Sequence, residues 1–172
     1  MSISMYSASV PVCVAMLSNM SHFLDKLQVF VDAKKCDPQA LLQYRMAPDM
    51  LPFTKQIQIA CDAAKNGIAR VSGAEAPKFD DTEANVADLK ARIQKTLDYI
   101  KSVAADRFNG TDDKDITFPV GKDATRTMKG EAFVKHWMLP NMYFHVTTAY
   151  LILRHNGVDL GKREYLLGAA GN

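Results

Sequence analysis

Apolar residues recur at spacings of three and four along four separate stretches of this chain, and that periodicity permits little besides packed amphipathic helices. The first stretch runs from about Ser9 to Lys34, with Val12, Ala15, Met16, Met20, Phe23, Leu24, Leu27 and Phe30 on its stripe. Lys34 and Lys35 suit its negative C-terminal end. Asp37-Pro38 then reads as an N-cap and first-turn proline for a short helix over Gln39 to Tyr44. The second long helix is expected from Pro52 to Ser72, with Phe53, Ile57, Ala60, Cys61, Ala64, Ile68 and Val71 buried. Asp49 is its expected cap, and Gly73 its stop. The third opens after Asp80-Asp81-Thr82-Glu83, where Asp80 and Glu83 have capping-box spacing, and runs to about Ala105 through Val86, Leu89, Ile93, Leu97, Ile100 and Ala104. The fourth covers Glu131 to His155 with Pro140 inside it. A proline has no N–H, so the carbonyl of His136 loses its helical partner and a kink is expected.

Between the third and fourth helices the pattern changes. Asn109-Gly110 is a turn signal, and Ile116, Phe118 and Val120 alternate with other positions before Gly121-Lys122-Asp123. Thr125 to Met128 can return as a second strand. Two strands are marginal alone, so this hairpin must lie on the bundle, and Pro119 confines it to an edge. After the fourth helix, Asn156-Gly157-Val158 reads as a left-handed cap with an apolar follower. Val158, Leu160, Tyr165, Leu166 and Leu167 should dock on the bundle or on a second subunit, and Gly168 to Asn172 should be flexible. At 172 residues the chain has the length of one domain, taken here as 1–172.

The bulk properties exclude several function classes. A net charge of +2 gives no electrostatic reason for nucleic-acid binding. No apolar run approaches the ~18 residues of a membrane span. The stretch from Met1 to Met20 has no Lys or Arg, and Pro11 interrupts its apolar run, so it does not read as a secretion signal. Three cysteines, an odd count without C-x-x-C, argue against a disulfide framework or zinc knuckle. The expected location is cytoplasmic, with reduced thiols.

The residues that bear on chemistry lie on the fourth helix. Asn141 and His145 are four apart and so share a face, near Val134, Trp137, Met138, Thr148, Ala149 and Ile152. That face points inward, and its polar groups need partners. Gln56 or Gln58 on the second long helix is the nearest candidate, with Trp137 beside the pocket. Asp62 with Lys65, and Asp88 with Arg92, have ion-pair spacing and read as solvated faces. Cys13 and Cys61 read as inert core thiols.

Two strings carry a family resemblance. One is Arg45-Met46-Ala47-Pro48-Asp49-Met50-Leu51-Pro52-Phe53 with Gln56-Ile57-Gln58-Ile59-Ala60-Cys61-Asp62. The other is Pro140-Asn141-Met142-Tyr143-Phe144-His145-Val146-Thr147-Thr148-Ala149-Tyr150, continuing through Arg154-His155-Asn156-Gly157-Val158 and Gly161-Lys162. With the helix pattern, they make the chain resemble the DinB-like four-helix-bundle metalloenzyme superfamily, in a branch of uncharacterised bacterial proteins known as a domain of unknown function. The resemblance implies an up-down-down-up bundle, with a crossover between the second and third long helices. The linker from Gly73 to Asp81 can span roughly 30 Å, about the length of the second helix.

The resemblance also implies a divalent metal held by two histidines four apart on the last helix and a third from the second. Here Asn141 stands at the first position and His145 at the second, followed by Val146-Thr147-Thr148 rather than Arg-Gly-Gln. The second-helix region has no histidine. His145 is the one histidine left as metal ligand, and one imidazole with two neutral amides is a poor transition-metal set. Two functions follow. One is a non-catalytic or small-ligand-binding homodimer with a degenerate metal-site pocket. The other is a metal-dependent enzyme of thiol-transferase type, with His145 as ligand or general base.

Overall fold

The computed structural model of the protein describes residues 3–171, so Met1 and Asn172, at the ends of the segments discussed above, lie outside it. Helix α1 (Val10–Lys34) is followed by the short α2 (Pro38–Leu42), then α3 (Phe53–Ser72) and α4 (Val86–Ser102). A 3-10 turn (Ala105–Phe108) leads to strands β1 (Asp115–Val120) and β2 (Ala124–Lys129). The last long helical run is α5 (Gly130–Phe133), a π-helical stretch (Val134–Met138) and α6 (Leu139–His155), and α7 (Lys162–Leu167) closes the order with a 3-10 turn (Gly168–Gly171). The molecule is mostly helical with one small antiparallel sheet.

Local chemistry accounts for most boundaries. Asp37 caps α2 by accepting from the Gln39 N–H at 2.9 Å. Gly73 ends α3 at φ +71°, the left-handed region where a Cβ is disfavoured. Two expected caps are corrected. Asp49 is exposed and Pro52 occupies the N-cap of α3, whose Phe53 N–H donates to the Tyr44 carbonyl at 2.9 Å. Helix α4 is capped by Asn85, which accepts from the Asp88 N–H, while Asp88 accepts from the Ala84 N–H. That reciprocal pair replaces Asp80 and Glu83, which serve Arg92 instead. On α1 the buried stripe is Cys13, Met16, Leu17, Met20, Phe23, Leu24, Leu27 and Val31; Ala15 is exposed.

Helix α3 packs against α4 and α6, and α1 packs against the same two. From the linker through α4 to the 3-10 turn, the partners of α3 ascend with it: Lys55 with Asp81 and Gln58 with Glu83 in the linker, Asp62 with Arg92 on α4, and the Ser72 carbonyl with Arg107 in the turn. Between α3 and α6 the order reverses. Gln56 meets His145, and Gly67 lies against Met138 so closely that an added Cβ would collide with its side chain. Around Pro140 the helix widens, and the Leu139 N–H reaches the Val134 carbonyl five residues back. This π geometry lies directly before Pro140, which has no N–H to continue the regular four-back pattern.

The hairpin pairs Ile116 with Met128 and Phe118 with Arg126. Ile116 and Phe118 are buried, and the Phe118 ring lies 4.9 Å from Phe133 and 4.8 Å from Trp137, centroid to centroid. The strands therefore lean on the start of the last helical run. After α6, Gly157 takes φ +89°, the Val158 N–H bonds the Leu153 carbonyl, and Val158 and Leu160 are buried on the chain's own core. Tyr165 stacks near Phe23 and Tyr150, and its hydroxyl meets Thr147 at 2.9 Å. Gly168 to Gly171 form the final 3-10 turn, which packs on α1.

Candidate functional site

Helix α3 carries polar residues on two faces. Residues two apart on a helix are about 200° apart around it, so Gln56 and Gln58 cannot face the same neighbour. Gln56 faces α6. Its Nε2 donates to the Leu51 carbonyl at 2.9 Å, which leaves Oε1 turned to His145 Nδ1 at 2.7 Å. A carbonyl oxygen only accepts, so Nδ1 carries the ring proton. Burial pushes the His145 pKa below its ordinary 6.5 and favours the neutral ring. Nε2 then holds a lone pair. It has no protein partner among the described residues and is not sealed from solvent, although the residue as a whole is 9% exposed. The Phe144 ring stands edge-on to the imidazole at 5.2 Å.

Gln58 faces α4. Its Nε2 donates to Glu83 at 2.7 Å, and its buried Oε1 has no protein partner. Here the reading of Lys65 and Arg92 as part of solvated faces is corrected, and Asp88 takes part in the α4 cap instead of pairing with Arg92. Arg92 is 2% exposed and Lys65 4%. Arg92 bonds Asp62 at 3.2 Å, Asp81 at 3.0 Å, Glu83 at 2.9 Å and the Asp80 carbonyl at 3.2 Å. Lys65 bonds Asp62 at 3.0 Å and lies 4.3 Å from the Phe79 ring centroid. Burial alone would raise the Glu83 pKa, but hydrogen bonds from Arg92 and Gln58 hold it below the ordinary carboxylate range. This cluster ties the linker before α4 onto both helices, and its charges answer one another.

Further along the α6 side of α3 is a cleft of about 180 Å³, lined by Asp62, Asn66 and Arg70 of α3, Pro119 of the hairpin, and Trp137 and Asn141 of the last helical run, among others. Asn141 thus meets the cleft rather than Gln56, and Trp137 lies with it. The sequence reading brought Asn141, His145 and Trp137 to one helix face but missed Arg70 and Asn66. A signal was available: Gln56, Asn66 and Arg70 are polar positions along the flank of α3 that turns to α6.

The donor set does not fit the divalent metal that the resemblance implies. No group of three or more His, Cys, Asp or Glu among the described residues is placed to hold a metal ion. His145 has one nitrogen committed to Gln56, and the nearby amides are neutral and hard. Cys13 and Cys61 are buried, and burial pushes both thiols up to about 12, far from the thiolate form.

Packing of the long helices around α3 makes a mostly helical molecule with this face as its candidate site. The chain belongs to the family described as Domain of unknown function (DUF1993), whose model matches residues 5–166. It is similar to the crystal structure of a DinB family member protein from Shewanella denitrificans, at 40% identity and a TM-score of 0.87, over 94% of this chain and 90% of that one. No curated protein matches. No helix among the described residues is long and apolar enough to cross a membrane.

Proposed function

We propose that this protein is a single-domain, small-ligand-binding DinB-like bundle in which a neutral histidine stands where relatives of the superfamily place a metal. The observation that carries this reading is the relay from the Leu51 carbonyl through Gln56 to His145 Nδ1, which fixes the imidazole tautomer and leaves Nε2 as an acceptor. A ligand that donates a hydrogen bond to Nε2 fits this arrangement, with the exposed Phe144 ring beside it. An up-down-down-up order belongs to the same proposal. It is supported by the ascending partners of α3 from the linker through α4 to the 3-10 turn, the reversed contacts of α3 with the last helical run, and the neighbours Phe23–Tyr150 and Phe30–Gly157 between α1 and the end of that run.

The metal-dependent thiol-transferase reading has less support, because the site offers one imidazole nitrogen and no thiolate or carboxylate triad. Elemental analysis of protein purified without chelator or metal resin separates the two readings. Near-stoichiometric zinc, nickel or iron would favour the enzyme. For the ligand reading, nitrogen NMR at neutral pH should show His145 Nε2 unprotonated, and fragments that bind should move that resonance. A protonated Nε2, or a library in which nothing moves it, counts against the proposal.

A homodimer and a cytoplasmic location complete the proposal. Leu166 and Leu167 are 57% and 53% exposed after α7, and Phe144 and Leu151 are exposed on one side of α6. The three cysteines are free. Sedimentation at micromolar concentration should give a species of twice 19.1 kDa; a clean species at 19.1 kDa refutes the dimer.

A further inference from the structure

Arg70 is the one residue of the α3–α6 cleft whose charge the fold leaves unanswered. Its guanidinium makes no ion pair or hydrogen bond to any described residue, although the side chain is only partly exposed. Partial burial lowers its pKa, and no carboxylate acts against that effect. The contrast with Arg92 is direct, since that guanidinium has three carboxylates and a carbonyl within reach. Asn66 and Asn141 line the same cleft, and neither side chain makes a hydrogen bond to a described residue. Asp62 is the cleft's acidic group. Its Oδ1 is already held by Lys65 and Arg92, so its charge is compensated from the far side of α3.

The rest of the lining is apolar. Ile59, Pro119, Phe133, Trp137 and Met138 form the walls, and the hairpin brings Pro119 to the bundle by seating Phe118 on Phe133 and Trp137. A volume of about 180 Å³ suits a ring-sized body, since a cavity of roughly 150 Å³ accepts benzene. A cation without a protein partner, two amides that donate and accept, and an apolar wall are the parts of a site for an organic anion. A guanidinium fork pairs bidentately with the two oxygens of a carboxylate, a compact planar head that leaves the cleft's volume to the apolar body.

We propose that this cleft binds a small carboxylate with a ring-sized apolar body, its carboxylate paired with Arg70 and flanked by Asn66 and Asn141, and its body against Trp137 and Pro119. The inference rests on the small-ligand reading above and gives a chemical class to the part of that ligand remote from His145: the cleft takes its carboxylate end, and a separate donor group meets His145 Nε2. Asn141 links the two regions, because it lies one helical turn from His145 on α6.

The test uses the full chain and benzoate as the probe. Trp137 is the only tryptophan, so its indole N–H gives a single reporter resonance in the wall of the cleft. Titration with benzoate should shift that resonance saturably, and benzyl alcohol and benzylamine should bind at least about tenfold more weakly. Arg70→Gln should weaken benzoate by about tenfold to a hundredfold, the effect of losing a charged hydrogen-bond partner. Arg70→Lys should recover part of that loss. Arg126→Gln, an exposed hairpin cation outside the cleft, should leave benzoate binding within about threefold. No saturation by about 10 mM benzoate, or equal affinity in Arg70→Gln, overturns the carboxylate site. In that event, neutral fragments that still move His145 Nε2 would leave the small-ligand reading standing.

Discussion

The face of α3 toward α4 and the face toward α6 both carry polar side chains, and they differ in whether the fold pairs their charges. Toward α4, Asp62, Lys65, Arg92, Asp81 and Glu83 answer one another's charges and Gln58 donates to Glu83, while Gln58 Oε1 and Arg92 Nε stay without a protein partner. Toward α6, Gln56 holds one nitrogen of His145 and leaves the other, while Asn66, Arg70 and Asn141 meet no protein partner among the described residues. Buried polar groups that answer one another hold a structure together; groups held in place yet unanswered are the ones available to a ligand. The distinction makes the α4 face a latch and the α6 face a site.

Substitutions should separate the two faces by size of effect. Arg92→Met should be the most damaging, at about 3 kcal/mol in urea denaturation, because it strands the nearly buried Glu83. A loss under about 1 kcal/mol would break the latch assignment. His145→Ala should cost about 1–3 kcal/mol, since Gln56 Oε1 loses its donor in a buried position. Equal costs for Gln56→Ala and His145→Ala, with the double variant no worse than either, would sharpen the pair into one unit.

Acid should weaken the faces in two separate windows, read as urea midpoints across a pH series. The folded pKa of His145 lies below 6.5, so as pH falls the unfolded chain takes up that proton first. Stability should start to drop near 6.5 and stop dropping once the folded pKa is passed, and His145→Ala should lack this step. Glu83 and Asp81 also have depressed folded values, against ordinary values of 4.5 and 3.8. Their contribution is present above those values and lost as pH falls through the lower folded ones. Arg92→Met should shrink that second step and leave the first intact. The smallest effect belongs to Arg70→Gln, which should change stability by no more than about 0.5 kcal/mol. A large loss there would mean that Arg70 supports the fold, and would erase the contrast between the faces.

The sequence carried much of this architecture because helices and hairpins are written in local periodicity. The stripes of α3 and α4, the Asp37 cap, the Gly73 stop, the alternation of Ile116 and Phe118, and the glycine cap after His155 all depend on neighbours within a few residues. Family strings around Arg45 and Asn141 were equally legible, since a string needs no third dimension.

What local pattern could not supply was the identity of the partner across the gap. Asp62 with Lys65, and Asp88 with Arg92, have the spacing of exposed ion pairs, and only the path of the 73–85 linker buries Arg92 under Asp81 and Glu83. Gln56 and Gln58 were interchangeable in sequence; the packing of α6 on one side of α3 and α4 on the other assigned the first to His145 and the second to Glu83. Arg70 looked like any helical surface arginine until the hairpin placed Pro119 and Trp137 around it. Periodicity fixes which face of a helix is apolar, because that depends on spacing alone. Which polar groups are answered and which are left for a ligand depends on the distances between elements far apart in the chain, and those distances exist only in the folded bundle.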